Sequence, residues 1–412
     1  MCPLTKALKQ QPAGEDRKTA IRGLRRDGPV LLSYGFRPFF LGGGLFAALA
    51  MGLWLVAIDG LAEPGGSYGA THWHAHEMLF GFAPAILAGF LLTAIPNWTG
   101  RLPVSGRPLA ALFALWLAGR LAMLNPDLAG LPVSAAIDMA FLPAMLLLAF
   151  REIAAGRKWK DLKILFGLVL LSAANGLFHL AMLTGNHPAI AIRLSIAAYT
   201  LLVMIIGGRI IPSFTRNYMA KQGRADAPVP FNRFDGVAIL AGAVALAAWV
   251  VLPENGVTLG VASLAAAVHA VRLTRWKGLA VRGEMLLLVL HASYLFVPLG
   301  FAAIALGAAG LLDEAPVLHV LTIGVISTMM LAVMTRASRG HTGRALTASP
   351  MTRLGYGLLF GAALARPAAD LFPDQQMPLL YLAGLLFASA FAVFGIEHFP
   401  MLATERRNAL KG

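Results

Sequence analysis

The chain has 412 residues and a formal net charge of +14, with 58 % apolar and only 13 % charged residues, where a soluble domain carries about 25 % charged residues. A hydrocarbon layer ~30 Å thick takes about 20 helical residues to cross, so this apolar content can furnish roughly twelve crossings and excludes a soluble globule. The single thiol, Cys2, excludes an intrachain disulfide, an iron–sulfur cluster, a thiolate zinc site and covalent C-x-x-C-H haem attachment, and the absence of a P-loop or Rossmann glycine pattern argues against ATP-driven or nicotinamide chemistry.

Residues 1–37 form a basic tail. No small-residue cleavage site follows an early apolar run, so the tail reads as a cytoplasmic extension and not a signal peptide. Predicted spans then follow at 39–59, 76–98, 108–124, 131–150, 162–184, 189–211, 235–252, 256–272, 285–309, 316–335, 353–370 and 378–398, with residues 401–412 as a C-terminal tail. Pro64-Gly65-Gly66, Pro126, Pro188, Pro253, Pro316 and Pro373 punctuate the connections. Of the 34 lysines and arginines, 31 fall in the two tails and in alternate loops. Such alternation predicts an all-α polytopic fold of twelve transmembrane helices, residues 38–400, with both termini cytoplasmic. The positive charge is then accounted for by anionic lipid at the cytoplasmic face of the membrane, and no nucleic-acid partner is expected.

Depth along each span follows from a rise of ~1.5 Å per residue. Arg120, Asp138, Asn175, His179, Arg193 and His319 come out in one slab near the outer surface, level with His72, His74, His76 and Glu77 at the start of the second span. A structural reading pairs Asp138 with Arg120 or Arg193. For the whole set a metal or haem centre is the better expectation, because intramembrane ionisable groups are costly unless paired or ligated and neutral imidazoles without thiols suit copper or haem iron. His72-x-His74-x-His76 can hold copper together with His179. Arg120 and Arg193 can pair with haem propionates, and Glu77, Asp138 and Asn175 can relay protons or fix the imidazoles in one tautomer. On the inner side His291 is kept as a second candidate ligand, while His269 and His398 read as satisfied core histidines.

Spans 2, 6 and 10 can be aligned. His76, Gly81 and Thr99-Gly100-Arg101 repeat the offsets of His319, Gly324 and Thr342-Gly343-Arg344, and Pro212 and Thr215, counted from Ile192, repeat those of Pro96 and Thr99. A three-by-four arrangement with a pseudo-threefold axis would set His76 opposite His319 across a haem. Subunit I of the haem–copper oxidases has a comparable plan, but this chain lacks its copper-ligand histidines on spans 6 and 7.

Four segments carry a family resemblance: Gly35-Phe36-Arg37-Pro38-Phe39-Phe40; His74-Ala75-His76-Glu77-Met78 through Pro96-Asn97-Trp98-Thr99-Gly100-Arg101; Gly207-Gly208-Arg209-Ile210-Ile211-Pro212; and His319 through Met334-Thr335-Arg336 to Gly340-His341-Thr342-Gly343-Arg344. In this order they resemble the NnrS family of bacterial membrane proteins. The resemblance implies an inner-membrane protein containing haem b and copper and associated with nitric oxide tolerance. It would bind or turn over nitric oxide, with an electron donor for turnover, or protect metal centres from it. The alternatives are a secondary transporter, for which twelve helices and Pro-broken spans are common, and a factor delivering copper or haem to a respiratory enzyme.

Overall fold

The computed structural model describes residues 28–406, so most of the basic N-terminal tail and the last six residues lie outside the described residues. Among the described residues every regular element is helical. Eleven helices are long and apolar enough to cross a membrane: α1 (Phe36–Ile58), α2 (Gly66–Thr99), α3 (Arg107–Leu124), α4 (Leu131–Ala155), α5 (Trp159–Leu183), α6 (Ala189–Lys221), α7 (Arg233–Val251), α8 (Gly256–Thr274), α9 (Met285–Ala308), α10 (Glu314–His341) and, last in the chain, α12 (Pro373–Ala403). Between the last two lies α11 (Pro350–Leu371), 22 residues long. It holds Arg353, Arg366 and Asp370, which is why it falls outside the apolar set, and Arg366 bonds Asp370 one turn on at 2.6 Å. The chain is a multi-pass membrane protein.

Local chemistry sets the helix limits. Proline near the first turn of α3, α4 and α11 starts each helix where its missing N–H would have had no partner. Gly100 ends α2 in the left-handed conformation, at φ 72°. Asn232 and Asp235 cap the start of α7 reciprocally.

The helices are not equally buried. In α2, 89 % of the apolar window is buried within the protein, against 28 % in α8. Leu49, Leu121, Leu147, Leu240 and Ile396 expose large apolar side chains on the outer wall, as expected where the surrounding medium is lipid. The first and last helices pack together. Arg37 fastens them: its guanidinium donates to the carbonyls of Leu402 (2.6 Å) and Thr404 (2.7 Å), satisfying acceptors left at the end of α12. That contact explains a buried arginine within Gly35-Phe36-Arg37-Pro38.

Wide π turns interrupt three helices: α2 at Glu77–Phe82, α6 at Val203–Gly207 and α10 at Val320–Ser327. A π turn loosens the i→i−4 ladder and presents carbonyls to other donors. Side chains meet them here: Trp116 Nε1 donates to Gly81 O (2.9 Å), the Tyr199 hydroxyl to Leu79 O (2.9 Å), and Arg272 to Met204 O (3.0 Å). Near the far end of the same three helices, Thr99, Thr215 and Thr342 each donate to the carbonyl four residues back.

Candidate functional site

Two adjoining sites occupy the end of the bundle at which α2, α6 and α10 begin. Helix α2 serves both, because residues two apart on a helix point about 200° away from each other. His74 faces one site and His76 the other.

His76 enters a fully buried polar cluster. Its Nδ1 lies 2.9 Å from Glu77 Oε1, and its Nε2 lies 3.2 Å from Asp138 Oδ2 and 3.3 Å from Asn175 Oδ1. His179 Nε2 is 3.0 Å from the same Asp138 oxygen, and Asn175 Nδ2 donates to it at 2.8 Å. The Tyr68 hydroxyl closes the other side of His179, 2.9 Å from Nδ1. Arg120 donates to Glu77 Oε1 at 2.5 Å and also to Asp138 Oδ1. Gly81 makes this possible, since a Cβ there would overlap the Arg120 guanidinium. Asn175 and His179 share one face of α5 at an i,i+4 spacing, and Phe80 and Phe178 pack on the His76 ring. One ligand atom each from His76, Asp138 and His179 can be chosen so that all lie within 4.8 Å of one another, and this buried group could hold a metal ion.

The second site is a cavity of about 490 Å³, within the ~300–1,000 Å³ typical of small-molecule and cofactor sites. Its walls come from α1, α2, α6, α10, α11 and α12 and are mostly aliphatic and aromatic. His72, His74, His187 and His319 line it, with Arg366 and Glu314. His319 Nδ1 bonds the Ala315 carbonyl at 2.7 Å and His72 Nδ1 the Tyr68 carbonyl at 3.0 Å. Each bond puts the ring proton on Nδ1 and leaves Nε2 as a lone-pair donor, the arrangement usual in metal-ligating histidines. His74 stacks on Trp54, ring centres 4.6 Å apart, and its Nδ1 is buried without a partner. The His187 ring meets His72 edge-on at 5.3 Å.

The sequence expectation set His76 opposite His319. The geometry instead puts His74 in the cavity with His319, while both ring nitrogens of His76 are engaged by its own cluster. Nor are the propionate partners as expected. Arg120 is held by two carboxylates, and Arg193 by Glu314 (2.8 Å) with a longer bond to Val250 O (3.4 Å); neither lines the cavity, and Arg366 is the guanidinium that does. Copper was expected near His72, His74 and His179, but the first two line the cavity and the third belongs to the buried cluster. His291 sits apart, near the start of α9, with Nε2 2.9 Å from Thr215 Oγ1 and Nδ1 buried without a partner. Sequence reasoning missed His187, Arg366 and Trp54 as cavity residues; the tight His187-Pro188 turn before α6 was the available signal for the first.

A cavity of imidazoles beside a buried His–Asp–His group defines a helical membrane protein with a core able to hold a metal. Compared with known families, residues 30–406 match the model described as NnrS protein, and the chain belongs to the NnrS family. This bears out over nearly the whole chain the resemblance carried by the four segments. No curated protein matches the chain.

Proposed function

We propose that this protein is a haem-binding inner-membrane protein of the nitric oxide stress response, that it holds haem b in the cavity between α2 and α10, and that copper is its second metal. The observation that carries the haem reading is the donor set. His319 and His72 have tautomers fixed by backbone carbonyls, with Nε2 available as a donor, and His74 has a buried ring nitrogen without a partner. These donors face an apolar chamber large enough for a planar cofactor, and that chemistry suits haem iron. Bound haem would supply an iron position for a small diatomic ligand such as nitric oxide.

The protein's own groups have separable tasks in this reading. His319 would hold the iron, and His74 would stand beside the position left open for a diatomic ligand. Arg366, at the cavity edge and paired with Asp370, would receive a propionate. Phe82, Phe387 and the aliphatic wall would keep water out. A ligand as small and apolar as nitric oxide can arrive through the lipid, so no aqueous channel is needed. The full topology belongs to the same proposal: twelve spans with α11 as the eleventh, both termini cytoplasmic, and α2, α6 and α10 equivalent about a pseudo-threefold axis. Their shared π turns and the shared threonine bonds support that equivalence.

Haem content and the Soret band of purified protein test the reading. His319→Ala is expected to lower haem affinity at least tenfold, about the lower end of what losing even a supporting group costs a metal site, and to abolish the spectral shift on adding nitric oxide. His76→Ala should keep both. Full haem retention in His74→Ala and His319→Ala alike would overturn the assignment.

A further inference from the structure

The cluster around His76 has an electrostatic property the cavity lacks. It buries two carboxylates, Glu77 and Asp138, and both have their arginine ion pair with the same residue, Arg120. With neutral imidazoles, one negative charge remains in a site where every member is 6 % exposed or less. Glu77 Oε2 is buried without a partner. An uncompensated charge at such a place is costly, so the cluster calls for one more cation, either a proton on His76, whose two ring nitrogens both face carboxylate oxygens, or a metal ion.

Its geometry says where that cation would sit. His76 Nε2 and His179 Nε2 lie 3.2 and 3.0 Å from Asp138 Oδ2. Metal–ligand bonds of about 2.0–2.1 Å in a tetrahedral site put ligand atoms roughly 3.3 Å apart. The outward atoms are already held as a metal site requires. His76 Nδ1 meets the Glu77 carboxylate, His179 Nδ1 meets a tyrosine hydroxyl that can either donate or accept, and Asp138 Oδ1 is held by Arg120.

We infer that His76 Nε2, His179 Nε2 and Asp138 Oδ2 form a metal centre for a first-row transition cation, distinct from the imidazole-lined cavity. Two imidazoles and one carboxylate suit copper or zinc and give no advantage to magnesium or calcium. A monovalent copper ion would leave the cluster neutral. The site shares helix α2 with the cavity but none of its proposed iron-holding residues, so it stands or falls separately from the haem reading.

Copper(II) added to metal-stripped, full-length protein and followed by electron paramagnetic resonance tests this. The double variant His74→Ala/His319→Ala, in which two of the cavity's imidazoles are removed, is expected still to bind one equivalent with superhyperfine splitting from two nitrogens. His179→Ala and Asp138→Asn should weaken binding at least tenfold, and Glu77→Gln to a smaller extent. Copper binding that vanishes in the cavity double variant, or survives unchanged in the His179 and Asp138 variants, overturns the centre. So does an absence of two-nitrogen copper in the wild-type protein, which would leave a proton as the missing cation. An absent two-nitrogen signal in the wild-type protein overturns the centre even where a variant fails to fold.

Discussion

Two buried arginines, Arg120 on α3 and Arg272 on α8, organise two polar clusters that differ in one respect. Arg272 is fully buried and donates to Asp235 Oδ1 (3.0 Å), to the Tyr294 hydroxyl (2.8 Å) and to Met204 O. His269 completes that cluster, with Nδ1 on the Tyr294 hydroxyl and Nε2 on the Ala238 carbonyl. One guanidinium and one carboxylate cancel, and the group ties α6, α7, α8 and α9 together. Around Arg120 the same device carries a second carboxylate and a second imidazole, and with neutral imidazoles the charges do not cancel. The group around Arg272 is a fastening; the group around Arg120 also carries the donor atoms from which the metal centre is proposed.

The contrast can be broken first at the fastening. Arg272→Ala leaves Asp235 buried and unpaired, and should cost about 3–5 kcal/mol of stability, read as a lowered unfolding midpoint in detergent. The double substitution Arg272→Met/Asp235→Leu sharpens it. Replacing a buried pair by apolar residues of similar volume is often neutral or stabilising, so part of that stability should return, less the cap that Asp235 gives α7, whereas Arg120→Met/Asp138→Leu should also remove bound metal. Gly81→Ala pushes a methyl group into the Arg120 guanidinium and should cost about 1–3 kcal/mol, as overpacking does, with a matching change in metal content. The smallest effect is expected at Arg101, whose side chain is 43 % exposed and pairs with Glu152 at 2.6 Å. Arg101→Ala should change the midpoint by no more than about 1 kcal/mol equivalent.

Helical rise made depth legible in the sequence. Glu77, Arg120, Asp138, Asn175 and His179 were assigned to one level from residue counting alone, and they meet in space. Direction around each helix axis was less legible, because it depends on how the helices rotate against one another. His74 and His76 are two residues apart and serve different sites, and a π turn directly after His76 shifts every later side chain relative to an ideal helix. Arg366 illustrates another limit. Only packing of α11 against α10 and α12 brings it to the cavity. The Arg37 bond to the carbonyls of Leu402 and Thr404 joins chain segments more than 360 residues apart, and no local pattern announces such a contact.

The cavity wall draws on Met51, Trp54 and Leu55 near the beginning of the chain and on Leu380, Gly384 and Phe387 near its end. During synthesis the chamber therefore stays open on one side until the last helix has left the ribosome and entered the bilayer. Whatever occupies it meets its full set of contacts only once the last helix has docked against the first.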